Sequence, residues 1–482
     1  MFLGIDLGST NMKAALYDEN MTLVDRQSLP VTYFRENGFV EFDGEVYIAS
    51  FYQLLAKLLK DNGVKTLKGI AFTGQAESLV VLDGQNKPLT NVISWMDSRS
   101  GKESQDLAKI FPDELCLQIT GQRGVNSTWP ATKILWLKNM RPEIFAQAKS
   151  YMLLKDYVVF CLTGKKVSDM SIATFSGYFD IYKKTYWHDM VKAIGITEDM
   201  LPPLCEPCTV AGELTAETVS RLGLAESCPV NVGTLDHCAG MIGTGNIAPG
   251  GVTLSTGTVM AMGMLCQDSA QSGIAKYYGF LPNSYILLPV AESGGVSLEW
   301  FRRSCMNMVD YGEMNRVLAD RGETEILFLP YLVGANGPEF DPNVTGTFWG
   351  LRQEHDAFDM ARAVMEGVSF VLRKNCEHAV KQGVPLKEII ATGGGAKSPI
   401  WCKLQADITG LPVRIPVEKE AASLGAAILA AVTAGRFASL AEAVDACVAF
   451  SYTYEPERTE KVERKFRRFC ALYDAALEIK KI

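Results

Sequence analysis

The stretch FLGIDLGSTNMKAALY, residues 2–17, decides the fold class. An apolar run, Phe2–Asp6, gives way to the short polar and glycine-bearing segment Leu7–Asn11, and a second run, Lys13–Tyr17, follows. With a third run at Leu23–Ser28, the first 30 residues predict a meander of three β-strands. Beyond it, Tyr47, Phe51, Leu54, Leu55, Leu58 and Leu59 recur at helical spacing over Tyr47–Lys60, and Asn62-Gly63 stops that helix. Gly69–Thr73 is β-rich again and ends in the polar string Gly74-Gln75-Ala76-Glu77. Strands alternating with helices predict an α/β protein.

A second cycle of the same kind starts near Pro229. Val230–Gly233, Gly251–Thr256, Val259–Leu265, Ile286–Val290 and Ile326–Leu329 read as strands, and Phe358–Val380 as a long amphipathic helix. Glu388–Thr392 and Pro412–Ile415 are strands separated by the helix Pro399–Thr409, and Ala421–Ala434 is a helix of small residues. The domain boundary falls between Asn231 and Gly245, which divides the chain into 1–240 and 241–482, the latter ending in a helical tail over Glu455–Ile482. A two-fold echo supports this division. GIDLGST (4–10) and VTLSTGT (252–258) both place glycine and hydroxyl residues at the tip of a strand–turn–strand, so two such hairpins would face each other across a cleft. No 20–50-residue repeat is visible, which excludes solenoids and propellers.

Composition narrows the partners. The 482 residues are 48% hydrophobic and 21% charged, which excludes disorder and leaves ample chain for a large core. A net charge of −8 offers no general attraction to nucleic acid or anionic lipid, and a small-molecule partner is expected instead. The first residues show no secretory signal, which predicts a cytoplasmic protein whose 12 cysteines are reduced and mostly buried. The run His237–Gln267 lacks charge but is broken by glycines, Asn246 and Pro249, unlike a membrane span. Cys205 and Cys208 form a CxxC with Cys228, His237 and Cys238 beyond it, but no second CxxC follows, so incidental thiols are the expectation. With only 4 histidines, Asp and Glu must carry most acid–base chemistry.

Three segments could carry that chemistry. In DLGSTNMK (6–13), successive N–H groups at a glycine turn form an anion-binding nest to which Ser9, Thr10 and Asn11 add donors. Asp6 beside them could serve a hard cation such as Mg²⁺; the alternative is an ordinary hairpin turn. TGGGAKS (392–398) lies between a strand and a helix, where bare backbone accepts a flat ligand and the helix N-terminus favours negative charge. Neither a Walker A loop nor a convincing dinucleotide fingerprint occurs; the weak match at Gly243–Ala248 reads as loop. In GTLDHCAG (233–240), Asp236 at a strand end could accept a proton from a substrate hydroxyl attacking phosphorus, or could simply cap the following helix.

Taken together, these segments resemble the FGGY carbohydrate kinase family of the actin- and hexokinase-like ATPase superfamily. GTFWGL (346–351) through Asp359-Met360 and AVME (363–366) looks like the family's C-terminal signature. The DLGST hairpin, the segment KILWL (133–137), Asp236 and the GGGAKS loop follow in family order, so the resemblance spans Phe2 to about Ala434. It implies two ribonuclease H-like, actin-like ATPase domains around a central nucleotide and sugar cleft, with ATP and Mg²⁺ as cofactors. It further implies Asp236 as general base, Asp6 as the carboxylate that helps place Mg²⁺, and Ser9, Thr10, Asn11 and Lys13 as the first phosphate hairpin. Thr256, Gly257 and Thr258 match the second hairpin, and Gly295, Gly394, Gly395 and Ala396 the nucleotide-binding positions of the second domain.

The sugar-facing positions depart from the family's patterns. D-xylulose kinases usually read Gly-Gln-Met-His-Gly where this chain reads Gly74-Gln75-Ala76-Glu77-Ser78, and glycerol kinases read Gln-Arg-Glu. Glu77 therefore keeps an acidic ligand while Ala76 lacks the arginine. Trp129 occupies about the position of an aromatic that lines the sugar pocket, and His237 follows the base where xylulose kinases often have Asn and glycerol kinases Gln. Gln75, Ala76, Glu77, Trp129, Asp236 and His237 form the expected substrate set. Trp95, Asp97 and Arg99 resemble a cleft-bordering segment but read as a structural salt-bridge loop.

The resemblance thus implies ATP-dependent phosphorylation of a small sugar or polyol, with a ketopentose such as D-xylulose first and another ketose, a tetrose or a glycerol-like polyol as alternatives. It leaves room for a homodimer. A conformational ATPase of the actin or chaperone type, and an inactive sugar sensor, are the distant alternatives.

Overall fold

In a computed structural model of the protein, residues 1–266, 275–335, 337–339 and 341–480 are described; the end of the expected uncharged run at Gln267 and of the expected tail at Lys481-Ile482 lie outside them. The N-terminal meander is present as strands Phe2–Leu7, Asn11–Tyr17 and Leu23–Pro30, paired antiparallel. Strand Gly69–Gly74 lies parallel to Phe2–Leu7 on its other side, followed by Pro229–Leu235, parallel again, and by the antiparallel edge Val210–Glu213. The helix Gly44–Asp61 crosses between the third and fourth strands. Asp43 caps it through Oδ1, which accepts the Glu45 and Val46 N–H groups at 2.9 Å, and Tyr47, Phe51, Leu54, Leu55, Leu58 and Leu59 are buried as their spacing predicts.

The second half repeats this order. Gly251–Thr256 and Met260–Cys266 form the hairpin, Tyr285–Leu287 the third strand, Glu388–Thr392 and Val413–Pro416 the two parallel neighbours, and Phe450–Tyr454 the antiparallel edge. Ala357–Lys381 takes the place of the first crossing helix, with a capping box at Asp356. The echo between residues 4–10 and 252–258 is therefore the visible trace of two sheets with the same core strand order. The second adds an outer strand, Lys276–Tyr278, and the expected strand Ile286–Val290 is broken into Tyr285–Leu287 and Val290–Ala291. The C-terminal helix runs Glu460–Lys480 and buries Phe466, Phe469 and Tyr473 in the second core.

In each half the last parallel strand leads into a helix, Asp236–Gly243 in the first and Ala421–Thr433 in the second. These two helices cross at van der Waals distance. A Cβ on Gly243 would lie 1.8 Å from the Ala421 carbonyl oxygen, and one on Gly425 would lie 2.0 Å from that of Ala239. Ala421–Thr433 also lies against the first sheet, where a Cβ on Gly4 would meet the Ser423 carbonyl oxygen at 2.2 Å. Around the crossing, Phe2, Leu235, Met241 and Ile242 share one core with Leu265, Ile286, Leu424 and Ile428, so the two halves are joined by buried apolar surface.

Of the 12 cysteines five are buried, and Cys305 alone is exposed. No cluster of three or more metal-ligating side chains occurs among the described residues, so the CxxC pair has no further partners there. No helix among them is long and apolar enough to cross a membrane.

The helix crossing generates a test. Gly243→Ala must force two backbones apart and should cost about 1–3 kcal/mol in urea denaturation. Gly240→Ala, on the same helix but with nothing within 4 Å of its Cβ, should leave stability unchanged or raise it by up to about 1 kcal/mol.

Candidate active site

Three parallel strands end side by side, with Leu7 opposite Gly74 and Gly74 opposite Leu235. Their ends bring three stretches of chain together: the 8–10 turn, the segment Gln75-Ala76-Glu77, and Asp236. Such an edge at the carboxyl ends of strands is where open α/β sheets place ligands. A cleft of about 340 Å³ opens there, lined by Asp6, Gly8, Lys13, Asp236 and His237 from the first half and by Ser255, Thr392, Gly393 and Glu420 from the second.

Asp236 is half-buried and is the first residue of its helix. Its Oδ1 accepts the adjacent His237 N–H at 2.7 Å but no later N–H of the helix, so it does not act as a cap and its carboxylate faces the cleft. His237 is exposed on the cleft wall. Asp6 is 9% exposed, and its pKa is pushed up to about 7, first by burial and then by the neighbouring Asp236 charge, with Lys13 opposing. Buried Asp6, with the Asp236 charge beside it, fits a divalent cation between polyphosphate and protein, since a cation would relieve both the repulsion felt by Asp6 and its lost hydration.

The two hairpin tips are held differently. The Ser9 carbonyl accepts the Tyr33 hydroxyl and its Oγ accepts the Trp95 indole N–H, both at 2.8 Å, which leaves the Ser9 hydroxyl proton free to donate. The Thr10 carbonyl accepts the Val31 N–H at 2.9 Å, Asn11 lies opposite Pro30, and Lys13 reaches across to Glu420 at 2.7 Å. The second tip borders a separate cavity of about 530 Å³ with Thr256, Gly257, Thr258, Gly295, Gly394 and Gly395 on its wall. Gly295 N–H donates to the Gly257 carbonyl at 2.8 Å, where a Cβ on Gly295 would stand 2.3 Å from that oxygen. Gly395 also approaches Thr256 closely, its Cβ position being 2.7 Å from that of Thr256. Ala396 departs from expectation: it packs against the second core, while Lys397 and Ser398 line the cavity. Sequence reasoning also missed Leu298, Tyr311, Met314 and Trp401 on this wall, whose apolar character is indistinguishable from that of core residues in the sequence alone.

At the sugar-facing segment, Gln75 is buried and spans the Gly8 carbonyl and Ser78 Oγ at 3.4 and 3.0 Å, so it braces the first hairpin. Ala76 packs in a group with Phe175 and Tyr277, whose rings stack at 4.5 Å. Tyr277 belongs to the second half, and burial and the Glu77 charge both raise its pKa. Glu77 takes φ of +63° and accepts the Thr128 hydroxyl at 3.2 Å. Burial raises its pKa, and buried Lys133, whose own pKa burial lowers, works against that rise. Lys133 donates to the Glu77 and Ser94 carbonyls at 2.9 and 2.8 Å, a bracing role that its sequence position did not disclose.

Trp129 is a correction. Its ring is wholly buried in a core with Ile134, Tyr151 and Trp187, and a Cβ on Gly177 would stand 2.3 Å from it, so it is not an open stacking face. A tryptophan preceding the proline at N1 of a helix satisfies local packing as readily as a ligand, and the sequence does not separate the two. The Asp97–Arg99 loop is structural, as expected: Arg99 bonds Asp97 and Glu41 at 2.7 and 2.8 Å beneath the Phe39 ring. Trp95, by contrast, reaches the phosphate hairpin.

Two domains of one strand order, closing a cleft with carboxylates at strand ends and two hydroxyl-bearing hairpins, define an actin-like phosphotransferase fold. The chain belongs to the FGGY family of carbohydrate kinases: the family's N-terminal domain matches residues 1–243 and its C-terminal domain residues 254–434. The protein is thus a carbohydrate kinase that uses ATP and acts on a small sugar-type substrate. The chain is 30% identical to xylulose kinase of Bacillus subtilis over 479 residues, covering 98% of this chain and 95% of that one. It is 27% identical to gluconokinase of Bacillus licheniformis over 98% of its length and 94% of that protein's. The crystal structure of xylulose kinase from Rhodospirillum rubrum superposes with a TM-score of 0.92 at 26% identity and 99% coverage of both chains. Family membership as a kinase removes the conformational ATPase and the inactive sensor.

The raised pKa of Asp6 has a thermodynamic sign. Its native pKa of about 7 exceeds the ordinary value of 3.8, so the native state binds more protons than the unfolded chain between those pH values. Stability contributed by protonated Asp6 is fully present below about pH 4 and is lost as pH rises through 7. Without nucleotide, Asp6→Asn should therefore melt higher than the wild type at pH 8 by several degrees and equally at pH 4, measured by circular dichroism. An unchanged difference across that range would remove the strain assigned to Asp6.

Proposed function

We propose that the protein transfers the γ-phosphoryl group of ATP to a hydroxyl of a ketopentose, D-xylulose foremost. The observation that carries the mechanism is Asp236: a strand-end carboxylate that caps no helix, opens on the cleft and lies across from Asp6. As the sugar oxygen attacks phosphorus, Asp236 takes its proton. Donors at the 8–10 and 256–258 tips hold the phosphates, with the adenosine in the cavity bounded by Gly295, Gly394 and Gly395. Asp6 would hold Mg²⁺ on the nucleotide, where the ion supplies charge neutralisation of the phosphates. Domains bounded near residue 240 hinge at the helix crossing and exclude water that would otherwise compete as acceptor. A cytoplasmic location accords with the need for ATP.

The names of the xylulose kinase relatives support the ketopentose, and Glu77 weighs against the sugar acid of the gluconokinase relative. A carboxylate at the sugar-facing segment repels a second one whenever it is ionised, whereas it hydrogen-bonds neutral hydroxyls in either protonation state. The substitution of Ala76-Glu77-Ser78 for the usual xylulose kinase residues keeps another ketose, a tetrose or a polyol as the second reading.

A panel of ketoses, aldoses, polyols and gluconate, read by ADP release with product masses, tests the substrate: D-xylulose should give the highest kcat/KM and gluconate none. Asp236→Asn should lower kcat roughly 10²–10⁴-fold with ATP affinity unchanged by calorimetry. Near-normal turnover in that variant would sink the assignment of the base.

A further inference from the structure

The strand that delivers Asp236 does not run straight into the site. Its pairing with Gly69–Gly74 slips between Asn231 and Thr234, Gly233 takes φ of +74°, and a Cβ there would stand 1.5 Å from the Phe72 carbonyl oxygen. A bulge re-aims the residues beyond it and strips backbone groups of ladder partners. Here substitutes are supplied by a side chain of the strand itself and by groups beyond it. Asn231 Oδ1 accepts the Gly233 N–H at 2.7 Å, and the Gly233 carbonyl accepts the Cys208 N–H at 2.9 Å. The Val232 carbonyl accepts a proton of Lys155 Nζ at 2.8 Å, and Ser171 Oγ accepts the Leu235 N–H at 3.0 Å while bonding Thr234 Oγ1 at 2.8 Å.

Lys155 and Ser171 converge on one carboxylate. Lys155 pairs with Asp169 at 2.7 Å with side chains 1% and 0% exposed, and lies 3.4 Å from Asp156. The other oxygen of Asp169 accepts the Ser171 and Ile172 N–H groups at 3.0 and 3.2 Å, together with the Ser171 hydroxyl. A buried ion pair is a poor source of net stability, since apolar residues of similar volume would do as well. What apolar residues cannot do is satisfy a bulge carbonyl and, through a fixed hydroxyl, the amide preceding Asp236. Neither Lys155 nor Asp169 lines the cleft.

We propose that Lys155, clamped by Asp169, is a positioning residue for phosphoryl transfer: it fixes the Val232 carbonyl and, with Ser171, the Leu235 amide, and so sets where the Asp236 carboxylate stands. The proposal rests on Asp236 being the base. Misplacing a catalytic group by about 1 Å can cost on the order of 10²-fold in rate while binding sites elsewhere stay intact.

Lys155→Met keeps the stem and removes the ammonium. It should lower kcat roughly 10–100-fold, with KM for the sugar changed less than about three-fold and ATP affinity unchanged. Ser171→Ala, a neutral change at the same bulge, should show the same split at roughly 3–10-fold and decides the matter if Lys155→Met does not fold. In the background of Asp236→Asn, either substitution should cost no further rate, because both act through that carboxylate. Multiplicative losses in the double variant, or a KM rise with kcat preserved, would overturn the positioning role while leaving the base intact. Near-normal turnover of Asp236→Asn alone would instead overturn the base.

Discussion

The structure depends on the close crossing of two helices, Asp236–Gly243 and Ala421–Thr433. Side chains ordinarily hold helix axes 8–10 Å apart; here Gly243 and Gly425 let backbone rest on backbone, and Gly4 lets the same helix lie on the first sheet. Each helix follows the last parallel strand of its own half, directly in the first and after Val417–Glu420 in the second, so the crossing fixes how the two sheets face each other. The first residue of one helix is Asp236 and the residue preceding the other is Glu420, and both line the cleft. The contact that joins the domains also brings their charged residues together.

That geometry has an electrostatic consequence. Asp6 is buried at a strand end beside Asp236, with half-exposed Lys13 opposing that repulsion. Lys13 in turn is shared with Glu420 of the second half, so the nearest compensating cation is divided between two claims. Ionised Asp6 is thereby destabilised in the free protein in a way that a bound cation would reverse. The strain is localised where the proposed mechanism gathers charge, in keeping with the general association of shifted carboxylates and function.

The sheets, the helix Ala421–Thr433 and the two hairpins were legible because each rests on local pattern: period-two or helical apolar spacing, with glycine at tight turns; the helix Asp236–Gly243, short and glycine-bearing, has no such spacing. Glycine at 295 and 395 was legible through resemblance, and the structure supplies the reason, since no Cβ fits against Gly257 or Thr256. Trp129 was misread because an aromatic before a helix serves a core as well as a ligand, and only its surroundings tell which. Lys133 and Lys155 were not legible as bracing groups at all. The carbonyls they brace, those of Glu77, Ser94 and Val232, are far away in sequence and carry no side-chain signature.

These two lysines separate chemistry from specificity. Lys155 serves the bulge ahead of Asp236, on a strand whose end is common to any acceptor the site takes. Lys133 serves the segment bearing Glu77, a non-glycine residue at positive φ, a conformation that persists only where the surroundings enforce it. Because Lys133 grips the Glu77 carbonyl rather than its carboxylate, the side chain at position 77 can be exchanged while the backbone stays in place. On the proposed reading of the site, a change of sugar can then be made at Ala76-Glu77-Ser78 without disturbing the strand ends where Asp6 and Asp236 meet.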